Sequence, residues 1–242
     1  MSATGRHQQA LQALTRRYDL NEETATKLAC LLELLARDPQ APTTVREPHQ
    51  AIKDHLADSL VALEMEVVRA AKDIVDLGSG AGFPGLPLAL ALPAAEVCLI
   101  DSGGRKASFV ERAVDACAIG NAYSVHARVE DWPDGIGRFD LVTARALASL
   151  DVVAEYAAPL LRLGGTLAAW RGRRDPEVEA AAARAAPLLG LEVGEIRPVE
   201  PYPGAEHRHI HLMTKVGETP ERFPRRPGMA RKRPLGASRP AV

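Results

Sequence analysis

The chain has 242 residues, enough for one large domain or one domain with an extension. Hydrophobic residues make up 46% and charged residues 25%, and neither a secretion signal nor a run of eighteen apolar residues is visible, so we expect a cytoplasmic protein without membrane spans. The net charge of −1 hides an asymmetry, since seven basic and no acidic residues follow position 221, leaving 23 basic and 31 acidic residues before it. The cationic end predicts a polyanionic partner, or else only a solubilising tail.

The cysteines give little sign of a structural role. Cys30, Cys98 and Cys117 are odd in number, lack CxxC spacing and lie in apolar or helical patterns. We therefore expect reduced core thiols rather than a disulfide framework or a metal site.

The N-terminal part is predicted to be helical. Residues 6–37 hold two helical patterns, and Asn21 is a candidate N-cap for the second, which ends at Pro39. A further helix is expected over 52–68. We assign residues 1–70 to a helical extension that packs on the main fold.

An alternation of strands and helices follows. Strands are predicted over 73–77, 96–100, 123–127, 139–143 and 165–170, with helices over 86–92, 105–119, 151–162 and 176–189. After Gly190 the pattern changes to strands over 191–199 and 207–216, joined by a turn. The expected fold class is α/β, a mostly parallel seven-stranded sheet covered on both faces, with a C-terminal antiparallel hairpin.

A glycine-rich turn follows the first strand. Gly78, Gly80 and Gly82 can take positive φ and bring the main chain against a bulky ligand, with the N–H groups of the next helix facing it. This predicts a nucleotide-like cofactor, and a tight connection without a ligand is the alternative. Residues 80–85 also satisfy GxGxxG, so a nicotinamide dinucleotide stays open.

Two acids flank this turn. Asp101 ends the second strand, where a carboxylate can accept from both ribose hydroxyls, or can instead cap the following helix. Asp76, two residues before the first glycine, is interpreted as anchoring the methionine end of a cofactor or ordering the loop. Asp76 and the terminal hairpin together resemble S-adenosylmethionine-dependent methyltransferases and favour that cofactor over a nicotinamide.

Two later strand ends carry candidate site residues. Methyltransferases commonly contact the adenine ring after the third strand, where Val129 and Glu130 stand here. Arg145 ends the fourth strand and is expected to enter the ligand crevice. Its guanidinium can hold a carboxylate, a phosphate or a guanine edge but is a poor general base, and a structural ion pair is the alternative.

At this point the chain resembles the bacterial 16S ribosomal RNA guanine-N7 methyltransferases, also called ribosomal RNA small subunit methyltransferase G or glucose-inhibited division protein B. The resemblance rests on residues 55–60, 76–85, 101–102, 128–130, 145–150 and 208–209. It implies a Rossmann-like methyltransferase domain over 71–217, a basic tail over 218–242, and one guanine of 16S rRNA in the 30S subunit as substrate. The cofactor-binding residues expected from the motifs and the resemblance are Asp76, Gly78, Gly80, Gly82, Phe83, Asp101, Val129, Glu130 and Arg145.

Guanine N7 has a lone pair and no proton at neutral pH, so methyl transfer to it needs no general base. We expect Arg145 to act as the catalytic residue by positioning cofactor or guanine. The residues expected to grip RNA phosphates are Arg105, Lys106, Arg128, Arg171, Arg222, Arg225, Arg226 and Lys232. Two departures affect this set, because Arg105-Lys106 stands where the family has Lys-Arg and Arg171-Gly172 where it often has Lys-Gly.

Two rival functions fit parts of the sequence. A catalytically silent RNA-binding protein of the same fold would account for the charged tail, and an NAD(P)-dependent oxidoreductase would account for GxGxxG. Nothing in the sequence marks an oligomer interface, so a monomer is expected.

Overall fold

A computed structural model describes residues 3–237, and the side chains of residues 5–237. The strands are β1 Asp73–Leu77, β2 Glu96–Asp101, β3 Ala122–His126, β4 Phe139–Arg145, β5 Leu161–Arg171, β6 Leu191–Pro198 and β7 His209–Lys215. They form one sheet in the order β3-β2-β1-β4-β5-β7-β6. β1 to β5 are parallel, and β7 runs antiparallel between β5 and β6. The expected seven-stranded sheet with its terminal hairpin is confirmed.

Helices cover both faces of the sheet. They are α1 Ala3–Arg17, α2 Glu22–Arg37, α3 Pro48–Ala51, α4 Asp58–Leu60, α5 Glu66–Arg69, α6 Gly85–Ala91, α7 Gly104–Ala116, α8 Leu150–Ala157, α9 Pro176–Ala185 and α10 Met229–Lys232. Side chains alternate along a strand, so Ile74 packs with α2, α6 and α7 while Val75 packs with α8 and α9. None of the helices in this described range is long and apolar enough to cross a bilayer.

The N-terminal helices pack on the first of these faces. The Asn21 side chain accepts a hydrogen bond from the Thr24 N–H at 2.8 Å and caps α2, as predicted. Leu28, Leu31 and Leu35 of α2 are fully buried. The apolar stripe seen in the sequence is therefore the face that α2 turns to the core.

The continuous helix predicted over 52–68 is wrong. This range instead holds a π-helical turn over Ile52–Ala57 that continues directly from α3, then α4, a 3-10 turn over Val61–Glu64 and α5. Arg145 donates to the Asp54 carbonyl oxygen at 2.7 Å, and the Trp170 indole donates to that of Asp58, also at 2.7 Å. Side chains from β4 and β5 thus bind the backbone where the helical register changes, a contact that helical periodicity does not reveal.

The expectation of reduced thiols is wrong for two of the three cysteines. Cys30 of α2 and Cys117, just after α7, form a disulfide across 87 residues of sequence, with their Cα atoms 5.7 Å apart. The packing of α2 against the end of α7 brings them together, and spacing along the chain gives no sign of it. Cys98 in β2 is free and buried, in line with the expectation.

The chain returns to the sheet after β7. Phe223 and Ala230 are buried in the core on the α8 and α9 side. The Gly236 N–H donates to Asp151 at 3.2 Å.

Arg239 of the basic tail lies outside the described residues. The division of the chain into 1–70, 71–217 and 218–242 stays a prediction.

The hairpin offers a test of backbone packing. Gly190 precedes β6 with φ +72°, and a Cβ there would lie 2.3 Å from the Gly217 carbonyl oxygen, whereas Gly204 has φ +82° with no atom within 4 Å of its Cβ position. We expect Gly204→Ala to lower the free energy of unfolding by about 1 kcal/mol through backbone strain alone. Gly190→Ala should cost about 2 kcal/mol more because the main chain must also move. Urea unfolding measures both, and equal losses would contradict this packing.

Candidate active site

The glycine turn after β1 has the left-handed conformation that its composition predicts. Gly78, Gly80 and Gly82 have φ of +64°, +58° and +89°. The N–H groups of Gly78 and Ser79 both donate to the Ile100 carbonyl oxygen, at 2.8 and 3.2 Å. The turn is thereby tied to the end of β2, so its main chain lies at the carboxyl edge of the sheet.

Asp76 contacts the far end of the same loop, at Gly85, where α6 begins. Its carboxylate is fully buried and accepts from the Gly85 N–H at 3.0 Å and the Thr143 hydroxyl at 2.9 Å. Burial raises the pKa of Asp76 to about 7, although these two hydrogen bonds act to lower it. Of the two roles considered for Asp76, these contacts correspond to ordering the loop.

A cleft of about 520 Å³ opens beside the turn, and we call it the main cleft. Its lining residues are Leu77, Gly78, Ile100, Asp101, Ser102, Lys106, Ala127, Arg128, Val129, Glu130, Ala146, Leu147, Tyr156, Gly228 and Arg231. Gly78, Asp101, Val129 and Glu130, all expected to bind the cofactor, meet here. Gly80, Gly82 and Phe83 are outside this lining.

Asp101 contacts the glycine turn on one side and the residues before α7 on the other. Its Oδ1 accepts from the Gly103 N–H at 2.8 Å at the start of α7, and its Oδ2 accepts from the Gly80 N–H at 3.1 Å. Lys106 lies 3.5 Å from Oδ2. The carboxylate thus ties the glycine turn to Gly103, the residue before α7, and it lines the main cleft. Of the two alternatives that the sequence left open, α7 has no side-chain cap, and the ribose contact stays a prediction.

A second pocket of about 440 Å³ lies beside the first, and we call it the arginine pocket. Its lining residues are Asp54, His55, Asp58, Arg145, Ala146, Trp170, Arg171, Gly172, Arg173, Val199, Arg208 and His209. Ala146 lines both pockets and has φ +55°, a strained conformation for alanine. The two pockets therefore adjoin at the carboxyl end of β4.

Arg145 lines the arginine pocket and not the main cleft. It donates to Asp58 Oδ2 at 2.8 Å, so the ion pair considered as an alternative is present, and its side chain is 19% exposed. The guanidinium carbon lies 5.7 Å from the centre of the Phe83 ring, which stacks on His55 at 4.5 Å. Phe83 is therefore a buried support for Arg145.

His55 stands in the middle of this arrangement. Burial, and then the charge of Arg145, lower its pKa to about 4. Its Nδ1 lies 3.4 Å from Arg145 and its Nε2 lies 3.0 Å from the Thr43 hydroxyl. A neutral ring can accept at Nδ1 and donate at Nε2, so His55 links Arg145 to the N-terminal segment without adding charge.

The residues expected to bind RNA have different surroundings. Lys106 and Arg128 border the main cleft, and Arg171 borders the arginine pocket while donating to the Ala148 carbonyl at 2.7 Å. The remaining exposed members are Arg105, Arg222, Arg226 and Lys232. Arg225 differs, since both ends of its guanidinium bond the buried Glu155 at 2.7 and 2.5 Å. Its charge is therefore paired within the fold, and its contact with RNA stays a prediction.

Sequence reasoning gave no role to several lining residues. Tyr156 carries no local signal of a site, and Leu147 and Arg208 were part of the resemblance without an assigned function. Arg231 belongs to the basic tail, whose charge was noted, but its place at the cleft depends on how the tail folds back. Within residues 3–237, no cluster of three or more His, Cys, Asp or Glu side chains could hold a metal ion.

Comparison with known proteins gives consistent matches. The family model GidB, described as rRNA small subunit methyltransferase G, matches residues 26–200. Ribosomal RNA small subunit methyltransferase G of Chloroflexus aggregans is 41% identical over 80% of this chain and 82% of the relative. The protein of the same name from Desulfitobacterium hafniense is 36% identical over 95% of this chain and 98% of the relative.

Solved structures agree on the fold. A SAM-dependent methyltransferase from Aquifex aeolicus superposes with a TM-score of 0.54 at 15% identity, covering 69% of this chain and 96% of that protein. At this identity the likeness concerns architecture alone. It confirms the Rossmann-like methyltransferase fold expected from the sequence.

The raised pKa of Asp76 gives a pH prediction. The folded chain holds a proton on Asp76 up to about pH 7, whereas an unfolded chain releases it near pH 4. The stability that this group contributes is therefore lost as the pH rises from about 4 to about 7. Asp76→Asn keeps an acceptor for Gly85 and removes the titration, so its free energy of unfolding relative to the native chain should rise from about pH 5 to about pH 8.

Urea unfolding at the two pH values measures this difference. Asp134→Asn, on an exposed turn, is the control and should show no such trend. A constant difference between Asp76→Asn and the native chain would contradict the buried, proton-binding carboxyl.

Proposed function

The chain belongs to the rRNA small subunit methyltransferase G family, so we propose that it transfers the methyl group of S-adenosylmethionine to N7 of a guanine in 16S rRNA of the small ribosomal subunit. The observation that carries this proposal is the meeting of two pockets at Ala146. One has the features of a nucleoside site and the other those of a site for an electron-rich base. A methyl donor and its acceptor need such adjacent sites.

The residues of the main cleft fit S-adenosylmethionine. The loop at Gly78 brings main chain without a Cβ to the cleft wall, and a Cβ there would overlap Leu147. Asp101 would hold the ribose hydroxyls, since a carboxylate has about four acceptor positions and two are used here. Val129 and Glu130 would face the adenine ring. When bound, the sulfonium group supplies an electrophilic methyl.

The arginine pocket fits guanine. Its arginines can donate to guanine O6 and to phosphates, while the carboxylates of Asp54 and Asp58 can accept from the N1–H and N2–H₂ groups. The Trp170 indole lies at the pocket floor with its N–H already bonded to Asp58. Arg145 would then fix the orientation of the base at Ala146, and an unpaired or flipped guanine could enter.

In this reaction the side chains would mainly align the methyl donor with the acceptor nitrogen. N7 of neutral guanine has a free lone pair, so no residue needs to remove a proton. His55, with its pKa near 4, is uncharged at neutral pH, so it does not supply a proton to N7. Rate enhancement would come from holding the donor and the acceptor nitrogen in line, a source of up to about 11 kcal/mol.

The two rival functions are less well supported. An NAD(P)-dependent oxidoreductase lacks support from the family match, which spans the glycine loop and strands β1 to β6. A catalytically silent RNA-binding protein would have no use for the left-handed glycine loop and the Asp101 carboxylate at the main cleft.

Methyl transfer tests the proposal directly. Labelled S-adenosylmethionine is incubated with naked 16S rRNA, assembly intermediates and 30S subunits that lack the modification, and the product is digested to nucleosides. We expect label in 7-methylguanosine at a single position in at least one of these substrates. Label in another nucleoside, or none with a protein that binds S-adenosylhomocysteine, would contradict the proposed reaction.

Substitutions can separate the two pockets. Asp101→Asn should weaken S-adenosylhomocysteine binding about tenfold, because a charged acceptor for the ribose is lost. Arg171→Gln should leave that affinity unchanged and raise the KM for the ribosomal substrate, since Arg171 lines only the arginine pocket. Calorimetry and methylation kinetics measure the two effects. Weaker cofactor binding by Arg171→Gln would contradict the assignment of the pockets.

A further inference from the structure

The C-terminal segment 220–236, which we call the C-terminal strap, is attached to the core at several points. Phe223 is 7% exposed and Ala230 only 2%. The Gly236 carbonyl oxygen accepts from Arg184 at 2.6 Å. Apolar contacts and hydrogen bonds thus fix both halves of the strap.

An ion pair forms its central attachment. Arg225 binds both carboxylate oxygens of Glu155, at 2.7 and 2.5 Å, in the forked geometry that guanidinium and carboxylate share. Glu155 is 1% exposed, so the strap neutralises a charge that would otherwise lie buried without a partner. The strap is therefore part of the folded domain and not a free basic tail.

The strap reaches the main cleft just beyond this attachment. The Gly228 N–H donates to Glu130 Oε1 at 3.0 Å, and Arg231 donates to the Leu147 carbonyl at 3.0 Å. Gly228 and Arg231 both line the cleft, at the end where Glu130 stands. Tyr156 lines the same end and is adjacent on α8 to Glu155, which anchors the strap.

These groups interact with one another. Burial and then the Glu130 carboxylate raise the pKa of Tyr156, while Arg231 acts to lower it. A phenol, a carboxylate and a guanidinium thus meet at the Glu130 end of the cleft. Adenine presents ring nitrogens that accept hydrogen bonds and a π-face that a guanidinium can cover, so Arg231 has two ways to bind it.

We propose that the C-terminal strap forms one wall of the cofactor site and that Arg231 is a further cofactor-binding residue at the adenine end. Arg225 and Glu155 are positioning residues, because they hold the strap against the cleft without lining it. This inference rests on the proposed function, since it assumes that the main cleft binds S-adenosylmethionine.

Binding of S-adenosylhomocysteine without RNA tests the inference. Arg231→Ala should weaken the affinity measured by calorimetry about tenfold. Arg233→Ala is the matched control, since Arg233 is exposed, carries the same charge two residues away and is outside the cleft lining. The affinity of Arg233→Ala should stay within about twofold of the native value, because salt screens an exposed charge outside the cleft. Arg231→Ala and Arg233→Ala each lose one positive charge, so a difference between them does not come from net charge.

A second measurement uses Arg225→Gln, which removes the ion pair between the strap and Glu155. It should also weaken S-adenosylhomocysteine binding, and a circular dichroism spectrum like that of the native chain would show that the sheet is retained. Native affinity in both Arg231→Ala and Arg225→Gln would overturn the inference, and so would equal losses in Arg231→Ala and Arg233→Ala. Failure of the native chain to bind S-adenosylhomocysteine would instead overturn the proposed function.

Discussion

Two carboxylates at the ends of adjacent parallel strands hold the loop on which this site depends. Asp76 accepts a hydrogen bond from the Gly85 N–H, and Asp101 accepts one from the Gly80 N–H. The glycine turn is therefore held at two points by acceptors from the sheet. Glycine has no side chain and populates many backbone conformations, so a glycine-rich turn needs contacts from other residues to hold one of them. The loop can therefore expose its main chain to a ligand while staying in place.

The N-terminal segment adds the second half of the site. Asp58 binds Arg145 through its carboxylate and Trp170 through its carbonyl oxygen, so residues from β4 and β5 draw this segment over the carboxyl edge of the sheet. The arginine pocket lies where they meet, and Ala146 separates it from the main cleft. The two pockets that we propose for the methyl donor and for the base therefore lie at one edge of one sheet.

What the sequence predicted depended on local chemistry. The glycine turn, Asp101 at the end of β2 and the hairpin after Gly190 each have signals within a few residues. Arg145 was expected in the crevice, but its partner Asp58 lies 87 residues away and no periodicity points to it. The π-helical turn at Ile52–Ala57 and the Cys30–Cys117 disulfide likewise arise from packing between distant segments.

A crystal structure of the chain with S-adenosylhomocysteine is the most direct measurement of whether this loop holds an adenosyl group. We expect the ribose hydroxyls within hydrogen-bond distance of Asp101, the adenine beside Glu130 and the sulfur facing Ala146. A main cleft closed by protein side chains, or the nucleoside seated in the arginine pocket, would contradict the account.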